Sequence, residues 1–185
     1  MSVKAESWQT AEIAGPKKAL LIMKPEVVTA LLKRARNPIL IVGHLGTEKE
    51  TEYAKMIDYA IRLVKAFKLP IVTTAHTAKE FVSKGLLPDA SMSAMDIGNR
   101  LKDLTWKGID GQGSYDLVLF LGLPYYMEFV ILSALKHFSK NMKTISLNRF
   151  YNPHATWSFP NLSVVKWEEN IEKILIDLEE NEKKV

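Results

Sequence analysis

Residues 38–47, Pro38-Ile39-Leu40-Ile41-Val42-Gly43-His44-Leu45-Gly46-Thr47, decide the fold. The apolar run Ile39–Val42 is too short for a buried helix and is rich in β-branched residues. Uninterrupted apolar character of that length belongs to a parallel strand covered on both faces. Gly43–Gly46 then forms the turn. Thr47 and Glu50 have the spacing of a capping box, in which each side chain satisfies an orphan N–H of the other's backbone, so a long helix is expected to start there. Its apolar stripe, Tyr53, Met56, Ile57, Ala60, Ile61, Val64 and Phe67, keeps helical spacing. Pro70 introduces a second strand, Ile71–Thr74. Strand, helix and strand make a βαβ unit, whose crossover is right-handed in nearly all proteins.

Working outward, residues 1–24 contain Gly15-Pro16 and read as an N-terminal arm or leading strand with Ala19–Met23 as its apolar part. Pro25 opens a helix, where a missing N–H is harmless, and Val28, Leu31, Leu32 and Ala35 share one face. Beyond the second strand, helical patches are expected over 77–84 and 90–102. Trp106–Tyr115, with Gly108, Gly111 and Gly113, must be a loop. A third strand spans Leu117–Leu121 and Gly122 closes it. The next helix shows Met127, Val130, Ile131, Ala134, Leu135 and Phe138 as its stripe. Thr144–Leu147 reads as a fourth strand and Leu162–Val165 as a fifth. Ile171, Ile174, Leu175 and Leu178 mark a closing helix. Strands alternating with amphipathic helices predict one α/β domain over residues 1–185, a doubly wound, mostly parallel, Rossmann-like sheet of about five to six strands.

Composition narrows the function. The 185 residues contain no cysteine, so the chain can supply neither a thiolate nucleophile nor a thiolate-held iron–sulfur cluster. No apolar run approaches the roughly 20 residues of a membrane span, and Met1–Thr10 has no signal-peptide core, so a cytoplasmic protein with no membrane partner is expected. The net charge of +4 is uneven: Glu168, Glu169, Glu172, Asp177, Glu179, Glu180 and Glu182 face only Lys173, Lys183 and Lys184 in the last segment. No basic cluster is interleaved with stacking aromatics, so no nucleic-acid partner is expected.

Ligands of open parallel sheets bind beyond the carboxyl ends of the strands, at the point where strand order reverses. The candidate ligand-binding residues are therefore Gly43, His44, Leu45, Gly46, Thr73, Thr74, His76, Gly122 and Asn148. Gly43-x-x-Gly46 before a helix suits a phosphate, held by free backbone N–H groups and the positive helix end; a purely structural turn is the alternative, since the full G-x-G-x-x-G is absent. Asn148 stands where dinucleotide sites place a ribose-binding carboxylate, with Arg149 beside it. His44 and His76 both follow strand ends, but no histidine or carboxylate has metal-ligand spacing, so hydrogen bonding is preferred to a metal. There is no G-x-S-x-G elbow, P-loop or Ser/His/Asp signature, and no catalytic residue is assigned. Trp8, Trp106, Tyr125, Tyr126, Tyr151 and Trp157 lie outside the periodic core. They divide between local core caps and a protein–protein surface.

Two resemblances bear on function. Arg36-Asn37-Pro38 before Ile39–Gly43, Leu69–Thr74 and Asp116–Gly122 resemble the central domain of thiamine-diphosphate-dependent oxoacid enzymes, which has the deoxyhypusine-synthase-like NAD/FAD-binding fold. A closer resemblance runs along nearly the whole chain. Trp8–Ala11, Gly15–Ala19, Lys24–Val27, Ala155–Phe159 and above all Gly108-Ile109-Asp110-Gly111-Gln112-Gly113-Ser114-Tyr115-Asp116 are similar to the epsilon subunits of archaeal acetyl-CoA decarbonylase/synthase complexes. That resemblance implies an accessory role beside the large metal-bearing alpha subunit of a carbon monoxide dehydrogenase, either stabilising it or helping electrons pass to FAD. It implies no metal bound by this chain. A second copy of the chain is a further possible partner, and a free-standing FAD- or NAD-binding electron-transfer module is the rival reading.

Overall fold

The computed structural model describes residues 18–47, 55–139 and 141–182. Strand β1 (Leu20–Leu21) leads into helix α1 (Glu26–Arg34), strand β2 (Pro38–Val42) and a 3-10 turn at His44–Thr47. Helix α2 (Met56–Phe67), strand β3 (Ile71–Thr73), helix α3 (Ala75–Ser83), strand β4 (Ala90–Ser91) and helix α4 (Ala94–Lys102) follow. The chain then forms strand β5 (Leu117–Leu121), helix α5 (Tyr125–Phe138), strands β6 (Lys143–Ser146) and β7 (Trp157–Ser158), and helix α6 (Val164–Glu182). The seven strands form one all-parallel sheet in the order β1-β7-β6-β5-β2-β3-β4.

Alternation along the strands builds two cores. Leu40 and Val42 of β2 and Leu117, Leu119 and Leu121 of β5 face a layer made by α1, α2, α6 and Phe81 of α3. Ile39, Ile41, Val118 and Phe120 face α4 and α5 on the other side. All five residues of β5 are buried, as is β2 from Ile39 to Val42. These central strands read as continuous apolar runs for that reason.

The sheet has seven strands rather than five or six, because two-residue pairings extend both edges. Ala90–Ser91, expected within a helix, instead pairs with Val72 and Thr73 of β3, and α4 starts only at Ala94. There the Ser93 side chain accepts from Asp96 N, an N-cap that the longer helix would bury. The strand expected at Leu162–Val165 is also corrected. Val164 already lies in α6, and the Lys166 and Trp167 amides bond to Ser163. The strand beyond β6 is instead Trp157–Ser158, which pairs with Ile145 and Ser146 and carries β1 on its other side. Val164-Val165 has strand-like composition, but the burial of Trp167, Ile171, Ile174, Leu175 and Leu178 is helical in period and wins. Trp167 Nε1 donates to Leu147 O at 2.7 Å and its ring meets Tyr59 edge-on.

The stripe of α5 is rotated from the expected one. Glu128, Ile131, Leu132 and Leu135 are buried, whereas Val130 and Phe138 are 52% and 66% exposed. Nearly every face of this helix is apolar, so spacing alone does not choose the inward one. The capping partner Glu50 and Tyr53 lie outside the described residues. Met56, Ile57, Ala60 and Ile61 of the α2 stripe are buried as expected.

The Gly108–Asp116 segment is a knot at the amino ends of β2 and β5. The Asp116 carboxylate accepts from the amides of Arg36 and Asn37 at 2.8 and 2.9 Å. Asn37 Nδ2 donates to Gly113 O at 3.3 Å, and Tyr115 OH accepts from Ile109 N at 3.0 Å. Carboxylate bonds to main-chain N–H groups are among the stronger neutral–charged contacts. The most distinctive string of the sequence thus sits at the opposite end of the sheet from the candidate site.

Candidate functional site

From β2 the chain proceeds to β3 and β4 on one side. It then returns to place β5 on the other side of β2 and continues outward to β6 and β7. The switch point therefore lies between the carboxyl ends of β2 and β5, where Gly43 and Gly122 stand. The structure presses these two ends together. Gly43 N donates to Leu121 O at 2.8 Å and Leu45 N to Gly122 O at 3.0 Å. A Cβ on Gly43 would lie 2.3 Å from Gly122 O and 2.7 Å from Leu123 Cα. Gly122 has φ +73°, a backbone conformation that suits glycine. Close backbone approach accounts for Gly43, and the amides of Gly43 and Leu45 are engaged by the facing Leu121 and Gly122 carbonyls.

Asn148 completes the arrangement from the end of β6. Its Oδ1 accepts from Gly122 N at 2.8 Å, and its Nδ2 donates to Glu128 Oε2 at 2.6 Å. Both ends of the amide are engaged and the residue is 6% exposed, so it acts as a clamp on the β5 loop. Arg149 stacks 3.9 Å from the centre of the Phe150 ring and donates to Leu162 O.

Glu128 was absent from the sequence-based candidates. It is 1% exposed, and Oε1 has no hydrogen-bond partner. Burial drives its pKa up from the usual 4.5 to about 7, against the downward pull of Ser146 and Asn148. Ser146 Oγ is likewise buried without a partner at bonding distance. The signal for Glu128 was present in the sequence: residues 128, 131, 132 and 135 share one helical face.

On the β3 side, Thr73 is buried and its Oγ1 has no partner. Thr74 N donates to Val42 O at 3.0 Å, and its Oγ1 lies 2.9 Å from Thr77 Oγ1. His44 stands half-buried in the 3-10 turn and has a partner within the fold. His76 lies in the first turn of α3 and Gly46 in the 3-10 turn. The structure thus brings Gly43, Leu45, Gly122 and Asn148 into one bonded unit, with Thr73 at the end of the neighbouring strand and Thr74 at the start of α3. Among the described residues, no three histidine, aspartate or glutamate side chains are grouped to hold a metal ion.

For a dinucleotide, the Gly43 and Leu45 amides and both ends of the Asn148 side chain are already engaged within the fold, so a pyrophosphate or ribose would have to be held by other groups of the turn. Of the loop aromatics, Tyr151 is buried with its OH on Ala19 O, while Trp106 packs against Tyr115. Trp157 lies in β7 beneath Lys143. Tyr125 and Tyr126, 41% and 68% exposed, remain at the surface in the first turn of α5, and Trp8 lies outside the described residues. No described helix is long and apolar enough to cross a membrane.

Fold and site together define a doubly wound, all-parallel α/β protein whose strand-end crevice is closed by main-chain bonds and a buried carboxyl–amide pair. The chain belongs to the family described as CO dehydrogenase beta subunit/acetyl-CoA synthase epsilon subunit, whose model matches residues 2–175. It is 36% identical over 167 residues to the epsilon subunit of an acetyl-CoA decarbonylase/synthase complex from Methanothermobacter thermautotrophicus, covering 90% of this chain and 92% of that one. Similar subunits from Archaeoglobus fulgidus (epsilon 1; 37% identity, 86% and 83% coverage) and Methanothrix soehngenii (35%, 84% and 81%) match over nearly the same span.

Proposed function

We propose that this chain is an accessory subunit of a carbon monoxide dehydrogenase component in an acetyl-CoA decarbonylase/synthase complex, where it docks onto and stabilises the large metal-bearing alpha subunit. The observation that carries the reading is the family match across residues 2–175, joined by relatives named as epsilon subunits of that complex. The absence of cysteine supports the division of labour, because thiolate ligands for redox clusters must come from a partner. By itself the chain turns over no substrate. Anaerobic affinity capture from cells of the source organism, followed by metal analysis and a carbon monoxide oxidation assay, tests this. Co-purification of a large nickel- and iron-containing subunit with activity is expected; recovery of the chain alone at low salt refutes it.

Electron transfer to FAD is the second reading. The unpartnered, buried Thr73 hydroxyl at a strand end favours it, and the engaged amides of Gly43 and Leu45 weigh against it. Flavin fluorescence titration separates the two. Saturable quenching that is lost in Thr73→Val establishes a flavin site, and no quenching at millimolar protein removes it.

A further inference from the structure

Away from the switch point, a groove of about 610 Å³ opens between the C-terminal half of α5, strands β1 and β6, and residues 154–156 that precede β7. Leu135, Met142 and Ala155 give it apolar walls, and Lys136, Ser139 and His154 bring polar groups to it. No carboxylate is among the described residues that line it.

His154 is 4% exposed and stands edge-on to Phe129, 4.4 Å between ring centres. Its Nδ1 is buried without a partner, and so is Ser139 Oγ. Leaving a buried polar atom without a partner is costly, so two in the wall of one groove call for a reason. Burial first, then Lys136 and His137, hold the imidazole below its ordinary pKa. The neutral ring offers one N–H donor and one lone pair. Burial also lowers the pKa of Lys136, whose ammonium is partly withdrawn from water. Lys136 keeps a contact of its own within the fold; its contribution to the groove is a positive field that no lining carboxylate offsets.

We infer that this groove binds an amphipathic organic anion, a carboxylate on an apolar body, with the body against Leu135, Met142 and Ala155 and the headgroup beside Ser139 and His154, in the field of Lys136. A small apolar pocket with a few convergent polar groups is the usual form of such a site.

The test uses the full chain, labelled with ¹⁵N at histidine, titrated with decanoate, and decanol as the neutral control. Fluorescence of 8-anilinonaphthalene-1-sulfonate and of its uncharged analogue N-phenyl-1-naphthylamine is followed in parallel. Decanoate is expected to bind saturably at one site, shifting the ring nitrogens of His154 and leaving those of His44 and His76 in place. Lys136→Glu should weaken decanoate and the sulfonate dye by about tenfold, or about 1.4 kcal/mol, and leave N-phenyl-1-naphthylamine unchanged. Leu20→Glu introduces a carboxylate from an exposed groove position and should act in the same sense, which keeps the test open if Lys136→Glu does not fold. The inference is overturned if decanoate fails to saturate at millimolar concentration. Shifts at His44 or His76 instead of His154, or equal weakening of charged and neutral ligands by the charge variants, also overturn it.

Discussion

Replacing Glu128 with glutamine should make the protein more stable above neutral pH, with a gain that disappears in acid. In the folded chain the carboxyl is buried beneath α5, one oxygen on Asn148 Nδ2 and the other unpartnered, and its pKa is raised from 4.5 to about 7. The folded state thus holds a proton that the unfolded state releases between those two values. Unfolding therefore sheds a proton in that window, and stability falls as pH rises from about 4.5 to about 7 before levelling. A displacement of that size corresponds to roughly 3 kcal/mol. Glutamine carries no such linkage: its carbonyl can accept from Asn148 Nδ2, and its amide can face the unpartnered Ser146 hydroxyl. Urea unfolding of both proteins at pH 4, 6 and 8 reads the difference directly, with other titrating groups cancelling. The two should be close at pH 4. By pH 8 the variant's midpoint should be higher by about 1.5 M for a slope of about 2 kcal/mol/M. A difference that does not vary with pH would refute the reasoning, because Glu128 would then titrate alike in the folded and unfolded states.

Other substitutions probe the same end of the sheet. Gly43→Ala drives a methyl group into the Gly122 carbonyl; calorimetry should show a loss of about 3 kcal/mol, at the upper end for overpacking, and an unchanged midpoint would mean the loops part freely. Asn148→Ala strands the Gly122 amide and the Glu128 carboxyl; a loss of about 2–4 kcal/mol is expected from two buried groups. Asn148→Asp should be more damaging at pH 8 than at pH 5, since it sets a second carboxylate against the first. Trp167→Phe removes the 2.7 Å bond to Leu147 O, and chemical denaturation should register a loss of about 1–3 kcal/mol with the helix content of α6 retained by circular dichroism.

The core of the fold was legible in the sequence because its evidence is local. β2 and β5 are buried on both faces, so Ile39–Val42 and Leu117–Leu121 had to be apolar throughout, and α1, α2 and α6 bury one stripe each at helical spacing. The lack of cysteine already excluded a thiolate-held cluster within this chain, and several strand ends stood out together as ligand positions, whereas which two flank the reversal followed only from the strand order. What tertiary structure decided are the features that depend on residues far apart in the chain. The two-residue strands at Ala90 and Trp157 are held by their neighbours rather than by their own propensity. The inward face of α5 was chosen by the α4 crossing, where Gly98 lies against Ile131, and that choice buried Glu128. In the glycine turn, Gly43 meets Gly122 at close range, and the amides of Gly43 and Leu45 donate to the Leu121 and Gly122 carbonyls, a contact between residues about 80 positions apart. Periodicity reports which side of a segment avoids water; it carries no information about which distant backbone meets that segment, and that meeting is what determined the chemistry at the strand ends.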